Sequence, residues 1–146
     1  MDFNWQQAMK SAISEVLETM FFVLIDFASQ GSTPLACRYG SKIQLSSESR
    51  TLEISFRAAE SFARMITANF LSKHEDEVVS EEMEDVMKEL ANMVGGNFMS
   101  RIQDEGWQLG IPSLRPSEKE NEGSPSIMAL SYLGEGAGWV DFRTIP

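Results

Sequence analysis

The sequence predicts one α+β domain over residues 1–146, with long helices covering one face of an antiparallel sheet. Three observations carry that expectation. An apolar stripe at the helical period opens the chain, and a strictly alternating run from Thr51 to Arg57 follows it. Two further strand-like runs, Ile127 to Leu133 and Trp139 to Ile145, flank a glycine-rich segment near the end.

The opening stripe is Trp5, Ala8, Met9, Ala12, Ile13, Val16, Leu17, Met20, Phe21 and Leu24, with steps of three and four residues. Asp2 or Asn4 can cap this helix, and Gly31 and Pro34 mark its end. A first strand is expected within Leu35 to Ser46, where Ile43 and Leu45 share a parity. In the next run Leu52, Ile54 and Phe56 face one way and Glu53, Ser55 and Arg57 the other. The polar residues 46–50 suit a hairpin turn between the two.

A second helix is expected from about Ala58 to Ser72, carrying Phe62, Met65, Ile66 and Phe70. An acidic link, residues 73–77, leads to a third helix that Ser80 can cap and that should reach about Gln103. Glu81, Glu82 and Glu84 stand in its first turn, where the helix dipole favours negative charge. The remainder reads as a meander. It has a short strand at Trp107 to Leu109, a polar loop over residues 113–125, and two strands joined by a turn at Gly134 to Gly138.

Composition narrows the chemistry. With 22 acidic residues against 12 lysines and arginines, the formal net charge is −10, which disfavours nucleic acid and anionic lipid as partners. The single cysteine, Cys37, permits no intramolecular disulfide and no cysteine-based zinc cage. The single histidine, His74, leaves no histidine-rich metal site. The longest apolar run, Met20 to Ile25, is far too short to span a membrane. A lone thiol and no export-type leader point to the cytoplasm. The acidic run over residues 75–85 lacks the central glycine of a calcium loop and reads as a solvated helix start.

The third helix holds the chemistry. At about 100° per residue, with Asp85 at zero, Glu89 lies near 40°, Asn92 near 340° and Gly96 near 20°. Val86, Met87, Leu90, Val94 and Phe98 occupy the opposite arc. The helix can bury its apolar side while Asp85, Glu89 and Asn92 share the outer face. An ordinary solvated face would explain two acids. It explains less well an asparagine in mid-helix followed by Gly95 and Gly96, since each glycine costs about 1 kcal/mol relative to alanine. Gly96 beside Asn92 would let another protein's surface approach closely, and Gly95 would allow tight packing on the sheet.

The spacing Asp85-x-x-x-Glu89-x-x-Asn92 and the surrounding Glu-Leu-Ala-Asn-Met-Val-Gly-Gly-Asn resemble the signature helix of the CheC/CheX/FliY phosphatases of bacterial chemotaxis. The resemblance covers nearly the whole chain. The family pattern also has a proline about 22 residues beyond the asparagine. Here the count lands on Arg115, leaving Pro112 and Pro116 as alternatives. The family folds as an internal pseudo-repeat, and Ser14-x-x-x-Glu18-x-x-Phe21 aligns with the signature helix. Phe21 replaces the asparagine, so the first half-site looks degenerate. One intact site is similar to CheX rather than to CheC.

The resemblance implies hydrolysis of the phospho-aspartate of a CheY-like receiver domain. Asn92 would orient the attacking water, and Glu89 would pair with the regulator's lysine. Asp85, Lys88 and Gly96 would be partner-binding positions, although Lys88 reads better as a surface lysine with its stem on the helix. No cofactor is expected on this chain; Mg²⁺ would belong to the regulator. The resemblance also implies a homodimer, for which the terminal strand Trp139 to Ile145 is the expected exposed edge. Two other readings compete: a non-catalytic adaptor that binds a receiver domain or motor component, and a small-ligand sensor.

Overall fold

A computed structural model describes residues 3–28, 36–102, 106–115 and 128–145. Helix α1 (Phe3–Met20) precedes β1 (Asp26–Ala28), β2 (Tyr39–Ser46) and β3 (Thr51–Ala58). Helices α2 (Glu60–Leu71) and α3 (Ser80–Arg101) follow, with a short 3₁₀ turn at Glu75–Glu77 between them. Strands β4 (Gln108–Leu109), β5 (Ser113–Leu114), β6 (Met128–Tyr132) and β7 (Glu135–Ile145) complete the described chain.

All strand pairs are antiparallel, in the order β1-β6-β7-β3-β2-β4, with β5 also on β2. Exchanging β1, β2 and β3 for β4/β5, β6 and β7 reverses this order onto itself. The expected internal pseudo-repeat is thus present in the sheet: each half supplies one helix, one edge and two inner strands.

The core lies between the helices and one face of the sheet. Ile43, Leu45, Leu52, Ile54, Phe56, Val140 and Phe142 are buried there with Met9, Ile13 and Leu17 of α1 and Leu90, Val94 and Phe98 of α3. Edge-to-face aromatic contacts knit the layers: Trp5 meets Phe98 at 6.0 Å and Trp107 at 5.8 Å between ring centroids. The other parity of β3 is also buried. Glu53 lies between Lys42 (4.0 Å) and Arg143 (3.7 Å), while Arg115 donates to Ser55 Oγ at 3.0 Å. Cross-strand charge pairing offsets part of the cost of burying that polar face.

The structure departs from expectation at four places. Helix α1 stops at Met20. Phe22 adopts a left-handed conformation (φ 61°), and the Val23 N–H donates back to Leu17 O at 3.0 Å. Leu24, placed on the helical stripe by its spacing, is therefore exposed outside the helix, and β1 occupies chain that the stripe suggested was helical. Second, β7 is an inner strand over its first half: β3 pairs with it from Gly138 to Ile145 and β6 from Glu135 to Val140. The expected edge is covered at Trp139 and Val140, and only Asp141 to Ile145 lack a second strand among the described residues. Third, the hairpin turn is confined to Leu133 and Gly134, both with positive φ, and Gly138 lies within β7. Fourth, Ser80 is the first helical residue of α3 rather than its cap. Asp2, Gly31, Pro34 and Pro116 lie outside the described residues, as does most of the polar loop after Leu114.

Candidate functional site

The start of α3 is held by Glu82. Its Oε1 accepts from the Val79 N–H at 3.1 Å, and Lys73 Nζ donates to its two carboxylate oxygens at 2.9 and 2.7 Å. The lysine hydrogen bond, then the backbone one, keep this carboxyl below its ordinary value of 4.5. Ser80 instead shares a hydrogen bond with the Tyr39 hydroxyl at 3.0 Å. Two turns further on, Ser41 Oγ donates to Met87 O at 2.7 Å, tying the helix to β2. At the far end Arg101 bridges Asn97 Oδ1 (2.6 Å) and the Glu15 carboxylate, which joins α3 to α1.

The inward arc is as the periodicity requires. Met83, Val86, Met87, Leu90, Ala91, Val94, Gly95 and Phe98 are buried. The two glycines then part company. A Cβ on Gly95 would lie 2.9 Å from Leu109 Cδ1 and 3.4 Å from Ile43 Cγ2, so its bare backbone lets α3 sit down on β2 and β4. A Cβ on Gly96 would stand 3.9 Å from Leu109 Cδ2, ordinary contact. Gly96 therefore answers to no packing constraint within the described chain.

The outward arc carries Asp85 and Glu89, both exposed, and Asn92 and Gly96, both half-buried. Lys88 Nζ lies 3.8 Å from Asp85 Oδ1, so these two charges partly satisfy each other on the surface. Glu89 and Asn92 make no hydrogen bond or ion pair with any described residue. Their separation of three residues puts them side by side on a helix fixed at both ends. Among the described residues this arrangement is an outward-facing helix surface. It can insert a carboxylate and an amide into a partner's pocket, the amide both donating to and accepting from a water.

The remaining chemical candidates fall away. Burial pushes the Cys37 thiol up to about 11 against the opposing effect of Arg57, so it is protonated near neutral pH and is no nucleophile. His74 is exposed at the 3₁₀ turn. Among the described residues there is no group of three or more His, Cys, Asp or Glu side chains arranged to hold a metal ion. No helix among them is long and apolar enough to cross a membrane. At the aligned position in the first repeat, Phe21 lies beyond the end of α1, fully buried and stacked on Phe70 at 5.0 Å. The first half therefore presents no counterpart to Asn92.

The sequence profile of the family described as chemotaxis phosphatase CheX matches residues 39–128, from β2 through all of α3 to the start of β6. The chain belongs to the CheX family. No curated protein matches its sequence significantly. Its fold is shared with a CheC-like superfamily protein from Shewanella sp. PV-4, at TM-score 0.82 and 17% identity, over 100% of both chains. A chemotaxis protein CheX from Vibrio vulnificus superposes with TM-score 0.74 and 17% identity, covering 95% of this chain and 99% of that one. The CheX of a CheX–CheY–BeF3–Mg complex from Borrelia burgdorferi does so with TM-score 0.74 and 17% identity, covering 99% and 100%.

This CheX-family chain therefore brings together Asp85, Lys88, Glu89, Asn92 and Gly96 on one face, as the helical phase predicts. Sequence reading overlooked Leu109, whose side chain fills the space left by Gly95. Two consecutive helical glycines were a signal that something bulky crosses there, but periodicity within α3 cannot say what.

Proposed function

We propose that this chain hydrolyses the phospho-aspartate of a CheY-like receiver domain, with Asn92 orienting the attacking water and Glu89 docking against the regulator's lysine. The observation that carries this reading is the pair of unengaged side chains, Glu89 and Asn92, on the outward face of a helix anchored at both ends. Phosphoryl transfer depends mainly on positioning and electrostatics, so an amide that places water in line needs no strong base beside it. Membership of a phosphatase family supports the reading, as does the Borrelia relative captured with CheY and BeF3, a group with the shape and charge of a phosphoryl. Mg²⁺ would sit with the regulator's own phosphorylation pocket. Asp85 and Lys88 would meet the rim of that pocket, and Gly96 would leave room for it. A cytoplasmic location belongs to the same reading, and so does a homodimer with independent sites.

Loss of acyl phosphate from phosphorylated receiver domains, with and without this protein, tests the proposal. Wild type should accelerate the loss, and Asn92→Ala should abolish the acceleration while still binding the receiver. Binding without turnover by wild type would refute catalysis and leave an adaptor.

A further inference from the structure

Strands β4 and β5 are one edge strand interrupted by a bulge. Leu109 pairs with Leu45, and Gly110 N donates to Gln44 O at 2.8 Å. Beyond the interruption Ser113 pairs with Lys42 and Leu114 with Ser41, and Arg115 N donates to Gly40 O at 3.0 Å. Ile111 and Pro112 together therefore oppose the single residue Ile43, which is the two-against-one arrangement of a bulge. Proline fits there because no ladder hydrogen bond is asked of it. Gly110 fits because any Cβ would lie 2.8 Å from Gln44 O. Held by pairing on both sides, the bulge presents Ile111 to solvent with 89% of its surface exposed.

This edge runs beside the site. Leu109 lies against Gly95 and Gly96 of α3. Leu114 pairs with Ser41, which bonds to Met87 O. Ile111 and Pro112 fall between these two contact points, alongside the stretch of α3 that includes Asn92. Leu114 on the same edge is 40% exposed. An isolated exposed isoleucine is unremarkable on a protein surface. One held rigid by flanking pairs, next to two unengaged polar groups, is a pre-ordered contact that loses little freedom on binding.

We propose that Ile111 is the apolar anchor for the receiver domain, seating on an apolar patch beside the pocket that holds the phospho-aspartate while Glu89 and Asn92 enter it. The inference rests on the function proposed above. Glu89 contributes charge pairing, and Asn92 contributes chemistry. Ile111 contributes the buried contact that a face of polar side chains lacks.

The test is steady-state dephosphorylation of a phosphorylated receiver domain by wild type, Ile111→Ser and Ile111→Leu, with melting curves for each. Ile111→Ser should raise KM about tenfold with kcat within about twofold, as expected for removing one buried aliphatic contact from uniform binding. Ile111→Leu should restore KM to near the wild-type value, and neither melt should shift, since the side chain is in solvent. A wild type that turns over the receiver with a KM insensitive to Ile111→Ser overturns the anchor alone. A wild type that neither binds nor dephosphorylates any receiver overturns both the anchor and the proposed function.

Discussion

Replacing Gly95 or Gly96 with alanine makes the same chemical change one residue apart, and the structure separates the outcomes. Both have ordinary helical backbone, since neither is among the positive-φ glycines, so alanine fits each conformation. At Gly96 the new methyl meets only Leu109 Cδ2 at 3.9 Å. Helix propensity then dominates, and Gly96→Ala should stabilise the fold by about 1 kcal/mol, or about 2–4 °C in Tm. At Gly95 the methyl would lie 2.9 Å from Leu109 Cδ1 and 3.4 Å from Ile43 Cγ2. Ile43 is then at ordinary contact distance, so the clash is with the leucine tip, which must shift to make room. Displacing that tip lies at the low end of overpacking, about 1 kcal/mol, which offsets the propensity gain. Gly95→Ala should therefore be less stable than Gly96→Ala by about 1 kcal/mol. Urea denaturation of both variants, fitted with a common slope, measures the difference. Equal stabilisation by both would refute the assignment of Gly95 to close packing and Gly96 to open surface. A larger side chain at the open position should instead act on the partner: Gly96→Met should leave the melt unchanged or higher and raise KM for the receiver.

Glu89→Ala should weaken receiver binding by about 2–5 kcal/mol in a titration, the usual loss when one member of a desolvated charge pair is removed; unchanged affinity would remove Glu89 from the interface. Glu82→Gln should lower Tm at neutral pH. The native carboxyl is held below 4.5, so its contribution is complete above that value and disappears as pH falls through the depressed one. The difference between variant and wild type should therefore close in acid, and a pH-independent gap would contradict the capping role. Light scattering at micromolar concentration should give about twice the chain mass. A concentration-independent monomer mass would reject the dimer.

Sequence alone determined the elements whose signal is local. The phase of α3 follows from side-chain periodicity over consecutive turns, so the shared face of Asp85, Glu89, Asn92 and Gly96 could be read directly. The β2–β3 hairpin follows from alternation around a short polar link, and its register, Ile43 with Ile54 and Leu45 with Leu52, keeps the apolar residues on one face. Tertiary structure decided what depends on distant partners. The alternating run at Trp139 to Ile145 looks the same at an edge or in the middle of a sheet, and only pairing with both β3 and β6 makes the first half of β7, as far as Val140, central. The apolar stripe of α1 continues through Phe21 and Leu24, but burial of Phe21 against Phe70 and the left-handed turn at Phe22 end the helix first. The roles of Gly95 and Gly96 likewise parted only when Leu109 arrived from the sheet edge, because steric room is a property of the neighbours and not of the glycine.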